Sequence, residues 1–289
     1  MRPTPPAVLT AMLALLVGTG PGMGRADETV AGDPVATEAP PPAPAVRSGF
    51  RPRLTLDFST NAWLTGGMLV AVGAAQLYSE KLAASSCRWC EPPQFDRWAR
   101  RQLVWKDTKA ATLYGNLLIV AVPVGATLTL SLMAHADDAG FREGAEDVLM
   151  MTEAVAISLT LMQVAKFTVA RTRPDAWAGS GSTTANSRMS FFAGHSSTPF
   201  AIAAAGTQLL RMRGRPGWKW FAAVSFVGAA ATGLFRVSSD NHWMTDVIAG
   251  AVIGTTVGLS VPLLVLHPAG ERSAGVTLVP APGGLALLF

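Results

Sequence analysis

The sequence predicts an all-α, polytopic membrane bundle of about five to six helices, and three observations predict it. Hydrophobic residues make up 49% of the 289 and charged residues only 15%, whereas an ordinary soluble domain carries about 25% charged residues. Five stretches are apolar and about as long as the roughly 20 residues that cross a bilayer. In lipid an isolated segment satisfies its backbone only as a helix, so each reads as a helix rather than a strand. With 28 Gly, 20 Pro and a mean hydropathy of +0.32, the composition argues against a disordered chain, a coiled coil or a cytosolic enzyme. The net charge of +4 is far too small for a protein that coats nucleic acid, so no nucleic-acid partner is expected.

Along the chain, residues 1–26 carry an early Arg, an apolar run over 7–17 and a small-residue ending at Gly24-Arg25-Ala26. This pattern fits a bacterial secretory signal peptide or an uncleaved N-terminal anchor. Residues 27–56 form a Pro- and Ala-rich tether, too poor in large apolar groups over 27–46 to bury a core. The helical domain follows over 57–266, and 267–289 is a C-terminal tail that reads as a hairpin or a frayed end. Within the domain the stretch 63–78 is Gly-rich and marginal, with spanning, tilted and re-entrant placements all open. The five apolar stretches are 111–133, 148–169, 199–210, 218–234 and 243–266, of which 199–210 is short and is expected to begin near His195. Between 63–78 and the first of them, Phe95, Trp98, Ala99 and Leu103 share one helical face and Arg97, Arg100 and Arg101 the other. This is either an interfacial helix or a solvated basic loop.

Cys87 and Cys90 form a lone C-x-x-C. A zinc site needs two further ligands at suitable spacing, which the sequence does not offer, so no metal or cofactor is expected. In an oxidising compartment the pair closes a short disulfide, with a redox role as the alternative.

Three short stretches carry the chemistry. In Lys166 to Pro174, the cations Lys166 and Arg173 are seven residues apart, so a persisting helix projects both from nearly one face. Taken alone, such a pair at a helix exit simply snorkels to headgroups. In the second, Gly194 and His195 precede an apolar helix; a residue without a side chain lets backbone approach an anion, and N–H groups at a helix start donate to phosphate oxygens. In the third, Arg236 to Asp246, His242 and Asp246 stand at i and i+4. The carboxylate can then accept a proton from one imidazole nitrogen and leave the other free to attack. Three cations, two imidazoles and one orienting carboxylate make a phosphoryl-transfer inventory without a metal.

The order K-x6-R-P, G-H, R-x5-H-x3-D resembles the type 2 phosphatidic acid phosphatase superfamily, which includes membrane lipid phosphatases, bacterial non-specific acid phosphatases and vanadium haloperoxidases. The likeness covers roughly 63–266 and implies an acid phosphatase/haloperoxidase-like helical core. It further implies that Lys166, Arg173, Arg236 and the Gly194 N–H hold phosphate, that His242 attacks phosphorus, that Asp246 orients it, and that His195 acts as acid and then base. The chain departs from the family in two places. Phe192-Ala193-Gly194-His195 stands where Pro-Ser-Gly-His is usual, and Phe235 stands where Ser commonly precedes the Arg. Losing one hydroxyl donor costs on the order of 2 kcal/mol, which slows catalysis without abolishing it.

The resemblance thus implies a membrane-embedded, metal-independent hydrolase of a lipid phosphate or pyrophosphate monoester, working through a phosphohistidine. Its partners are the lipid phosphate substrate and membrane lipids, with no obligate protein partner evident. The alternatives are a small-substrate periplasmic acid phosphatase and a catalytically impaired lipid-phosphate-binding membrane protein. The basic loop over 211–219 places that end in the cytoplasm by the positive-inside rule, and hence the site on the periplasmic face of the bacterial inner membrane. Seven Lys or Arg over 81–109 pull the other way, as does a cleaved signal followed by a full span at 63–78.

Overall fold

The computed structural model describes residues 54–136, 140–181, 184–268, 277–281 and 284–288. The signal or anchor and the tether up to residue 53 lie outside the described residues. Strand β1 (Leu54–Thr55) leads into α1 (Phe58–Leu77), the short α2 (Ser79–Leu82), α3 (Gln94–Leu103) and the long helices α4 (Thr108–Ala136) and α5 (Gly140–Val169). A short α6 (Pro174–Trp177) and a 3-10 turn (Ala185–Arg188) precede α7 (Gly194–Met212), α8 (Trp218–Ser238) and α9 (Met244–Val265). Strand β2 (His267–Pro268) pairs antiparallel with β1, Leu54 opposite Pro268. In the tail, β3 (Thr277–Ala281) pairs antiparallel with β4 (Gly284–Leu288), the hairpin alternative of the two read from sequence.

Helices α4, α5, α8 and α9 are each long and apolar enough to cross a membrane. Their outward faces explain why: on α4, Leu113, Leu117, Val120, Val124, Leu128 and Leu132 recur at helical spacing, and each is at least half exposed. Water would leave this stripe uncompensated, and lipid matches it. Helix α7 is the buried centre, with Ala201, Ala203, Ala204, Ala205, Leu209 and Leu210 fully enclosed. Its small residues meet a glycine stripe on α9. A Cβ added at Gly250, Gly254 or Gly258 would lie 2.6, 2.2 or 2.3 Å from the carbonyl oxygens of Ala193, Ser197 and Ala201. Only hydrogen side chains permit that approach, as in small-xxx-small membrane packing.

All of the marginal stretch 63–78 except Tyr78, its C-cap, lies in α1, whose 20 residues rise about 30 Å. The Asp57 carboxylate caps its start, accepting from the Thr60 N–H at 3.2 Å and hydroxyl at 2.7 Å. At that end the β1–β2 pair ties the chain to the exit of α9; at the other, the Gln163 amide donates to Gln76 at 3.1 Å near the end of α5. Thus α1 runs alongside α5 from one end of the bundle to the other. Leu56, at the close of the stretch read as tether, is buried in the core.

The ends of α5 and α8 and the starts of α7 and α9 gather at one end of the bundle, the upper end; the loop 211–219 closes the lower end. Two of that loop's arginines are buried and paired with α5: Arg213 Nε donates to Asp147 at 2.7 Å, and Arg215 pairs with Glu143. Their charge is largely neutralised within the fold. Helix α3 packs by Asp96 and Ala99, whereas Phe95 and Trp98 stack on each other facing outward. The segment is thus the helix of the two alternatives, and its apolar face is divided: Ala99 and Leu103 pack inward, Phe95 and Trp98 stay outward as at an interface, and Asp96 is drawn inward by an arginine 75 residues away.

Candidate active site

Helix α5 ends at Val169, earlier than a shared helical face for Lys166 and Arg173 requires. Ala170, at φ +47°, turns the chain out of the helix, and the two cations come together through the loop instead. Arg173 is held on three sides: Nε donates to the Asn186 carbonyl (2.8 Å), Nη2 to the Asn186 side chain (3.0 Å) and Nη1 to the Asn241 carbonyl (3.0 Å). Pro174 then starts α6 at its first position, where a missing N–H costs nothing. Arg236 sits in the last turn of α8, 3.4 Å from the Asn116 side-chain oxygen on α4. Its carbonyl accepts from the backbone N–H groups of Asn241 and His242, which folds the third motif back over the helix end.

Gly194 and His195 open α7, and no side chain caps that helix start. Its first N–H groups are therefore available to an anion. Ala193 is fully buried, its N–H bonded to the Asp246 carbonyl at 3.1 Å, and Phe235 packs its ring 5.5 Å from those of Trp105 and Tyr114. Neither position supplies a hydroxyl. Ser196 and Ser197 do not replace it, since their hydroxyls bond the carbonyls of Val247 and Gly194.

His242 lies just before α9, not inside it, so the i and i+4 relation to Asp246 is set by a helix entrance. The ring is buried, and Nδ1 stands 2.9 Å from the Ser190 carbonyl but 3.6 Å from Asp246 Oδ2. A carbonyl only accepts, so Nδ1 carries the hydrogen and Nε2 keeps its lone pair. Asp246 is engaged elsewhere as well. Its Oδ2 accepts from the Ser190 hydroxyl (2.5 Å) and the Trp243 N–H (3.0 Å), and its Oδ1 from Arg171. Asp246 thus fixes the helix entrance on which the histidine is mounted, with Ser190 as the nearer partner of the ring.

The charges of Arg236, Lys166 and Arg173 all act on His195, and those of Arg173 and Arg236 also act on His242. The residues singled out in the three motifs therefore come within electrostatic reach of one another at the upper end of the bundle. Among the described residues, neither the Lys166 ammonium nor the His195 ring has a hydrogen-bond partner, which leaves both open to a ligand. Also among the described residues, no group of three or more His, Cys, Asp or Glu could hold a metal ion.

Burial pushes His242 down to about 3, with the Asp246 carboxylate pulling upward and Arg173 and Arg236 adding to the fall. Unfolded, the ring titrates near 6.5. Between these values the unfolded chain binds more protons, so stability present above pH 6.5 is lost as pH falls toward 3. At pH 4.5 the loss from this one group is about 3 kcal/mol. Thermal unfolding in detergent between pH 7.5 and 4.5 is expected to show a smaller drop for His242→Gln than for wild type; parallel drops would contradict the burial of a neutral ring.

Cys87 and Cys90 form a disulfide, Cα to Cα 5.4 Å. Their loop lies along the first motif, with Arg88 N–H donating to the Ala170 carbonyl and Thr172 N–H to the Trp89 carbonyl, both at 3.1 Å. Sequence reasoning did not single out Ser190, Arg171, Asp96 or Asn116. Arg171 was visible as the other arginine of A-R-T-R-P; the rest have partners 52 to 149 residues distant and left no local signal.

The fold and site define a class: a bundle of long apolar helices that encloses, at one end, two histidines, three cations and a carboxylate. Residues 147–267, which hold all three motifs, match the PAP2 superfamily model, so this segment carries the family resemblance read from its motifs. A lipid A 1-phosphatase of Porphyromonas gingivalis is 29% identical over 133 residues, 44% of this chain. The chain spans about a quarter (27%) of that relative's length. Among solved structures, the first transmembrane PAP2 type phosphatidylglycerolphosphate phosphatase from Bacillus subtilis is 19% identical, with a TM-score of 0.43 over 70% of this chain and 92% of that one. Aquifex aeolicus LpxE is 21% identical, with a TM-score of 0.41 over 57% and 91%.

Proposed function

We propose that the protein is a membrane-embedded phosphatase that hydrolyses the phosphate or pyrophosphate monoester of a lipid through a phosphohistidine at His242. The observation that carries this reading is the His242 ring itself, held by Ser190 with Nε2 free beside Arg173 and Arg236. Lys166, Arg173, Arg236 and the Gly194 N–H bind the phosphate oxygens and offset the charge that gathers in the transition state. Burial and the three cations push the free His195 ring down to about 4, and the bound phosphate dianion offsets those cations so that the ring takes up a proton. Nε2 attacks phosphorus; the N–P bond forms as the P–O bond to the lipid breaks, and protonated His195 gives its proton to the leaving oxygen. Water then attacks phosphorus and yields a proton to His195, the N–P bond breaks, and orthophosphate leaves with His242 restored.

The name of the Porphyromonas gingivalis relative puts lipid A 1-phosphate beside phosphatidic acid, phosphatidylglycerol phosphate and isoprenyl pyrophosphate as substrates to try. Detergent-purified protein, given each of these without added metal, is expected to release orthophosphate from at least one and to be inhibited by vanadate. No release from any would reject the reading.

We further propose that the upper end faces the periplasm of a bacterial inner membrane. The disulfide lies at that end, and an oxidising compartment sustains it. The lower loop keeps Arg211 and Lys219 exposed, whereas Arg213 and Arg215 are neutralised by α5, so the positive-inside signal there is weaker than the sequence suggests. On this topology α1 starts at the lower, cytoplasmic end and runs upward. In intact spheroplasts, an impermeant maleimide is expected to label Lys106→Cys and not Pro216→Cys in a background lacking Cys87 and Cys90; the opposite pattern would invert the topology.

A further inference from the structure

Behind the nucleophile lies a buried chain of charges that the mechanism above does not use. The Arg171 guanidinium is 1% exposed and sits between two carboxylates, Asp96 of α3 and Asp246 of α9, which are both fully enclosed. Its Nη2 donates to Asp96 Oδ2 at 2.5 Å; its Nη1 donates to Asp246 Oδ1 and to the Thr245 hydroxyl at 2.8 Å. Asp96 in turn accepts from the Thr245 N–H (2.9 Å) and hydroxyl (2.6 Å), so α3 is clamped onto the first turn of α9. The Trp89 ring, inside the disulfide-closed loop, covers the guanidinium at 3.8 Å. Both Nη groups and the plane of Arg171 are thus engaged, only its buried Nε lacking a hydrogen-bond partner among the described residues, and every contact is to an element that flanks the site.

We propose that Arg171 is a positioning residue for the nucleophile: it balances the charge of Asp246, so that this carboxylate anchors the entrance to α9 without drawing a second proton onto the His242 ring. The inference rests on the phosphohistidine reading, and it adds a reason for the third-motif geometry that the phosphate-binding cations do not supply. The groups facing His242 are Asp246 on one side and Arg173 and Arg236 on the other. Lys166 acts on Asp246 as well, and Asp96 stands behind Arg171. With Arg171 in place the pair of buried carboxylates carries one net negative charge; without it, two. Such a cluster takes up a proton rather than remain doubly charged in a low dielectric, and the neutral ring beside Asp246 is the acceptor that matters. A protonated ring has no lone pair with which to attack.

The test compares wild type, Arg171→Gln, Arg171→Lys and Asp96→Asn, each as full-length protein in detergent, using phosphatidic acid and lipid A 1-phosphate as probes. Arg171→Gln is expected to lower kcat about 100-fold at neutral pH, where the ring stays neutral and the loss comes from freeing the Asp246 anchor at the entrance to α9, with KM within about twofold, and to move the acid limb of kcat/KM up by about one pH unit. Arg171→Lys restores the point charge but not the fork, so it is expected to return the acid limb to its wild-type position while recovering kcat only in part. A merely structural role would lower activity without moving the limb and without rescue by Lys. If Arg171→Gln does not fold, Asp96→Asn decides, since it keeps Arg171 and removes only its outer anchor; a fall of about tenfold in kcat is expected, and a wild-type rate overturns the proposal. A second readout does not depend on turnover: diethyl pyrocarbonate acylates neutral imidazole, and mass spectrometry follows His242 across pH. Reactivity at His242 is expected to fall at higher pH in Arg171→Gln than in wild type. Coincident profiles overturn the role of Arg171, whereas absence of phosphate release by wild type with shifted profiles overturns the phosphatase reading alone.

Discussion

His242→Ala is expected to lower kcat for phosphate release by about four orders of magnitude, because it removes the proposed nucleophile. The three cations and His195 remain in this variant, so lipid phosphate is expected to bind with KM or Kd changed by no more than a few fold. The split is informative. A residue that only helped to hold the substrate would raise KM at constant kcat, while the nucleophile of a two-step reaction appears in kcat. Removing the ring also leaves the Ser190 carbonyl without its donor, a cost of about 1 to 3 kcal/mol in stability, so unfolding is measured alongside. Full activity in a folded variant would reject His242 as nucleophile.

Gly254→Val is expected to cost about 3 kcal/mol or more in stability and about 100-fold in kcat, though Gly254 lies well inside α9, away from the helix start that carries the site. A Cβ there would stand 2.2 Å from the Ser197 carbonyl oxygen and 2.9 Å from its carbon, so backbone must move. Ser197 belongs to the first turn of α7, two residues beyond His195, and α9 begins two residues beyond His242. Separating the helices therefore separates the two imidazoles. Gly125, on α4, has nothing within 4 Å of its added Cβ, and Gly125→Ala is expected to keep wild-type activity and gain a few tenths to about 1 kcal/mol from helix propensity. Equal behaviour of the two variants in thermal unfolding and turnover would show that the seam does not set the site.

Much of this arrangement is written locally. Five apolar runs announce their helices because lipid demands them, and the Gly-His and Arg-His-Asp stretches stand out as polar boundaries at the ends of those runs. The 199–210 run looked short because α7 starts at Gly194 with small polar residues that a buried helix tolerates and hydropathy does not register. What stayed illegible depends on partners distant in the chain. Asp96 reads as a solvated acid on an amphipathic helix until Arg171 is placed against it. The end of α5 at Ala170 has no glycine or proline of its own to signal it; the disulfide loop, through its bonds to Ala170 and Thr172, holds the turn there. Likewise, the Ser190 carbonyl bonds His242 across 52 residues, and no spacing rule points to it.

The central claim is that His242 Nε2 takes the phosphoryl group from the lipid. It is tested most directly by rapid quench of wild-type protein with lipid labelled at its phosphate, followed by digestion and mass spectrometry. The account predicts a phosphoryl group on the peptide that contains His242, acid-labile and alkali-stable, formed and lost at rates that match turnover. Label on His195, on a serine, or on no residue while orthophosphate is still being released would contradict it.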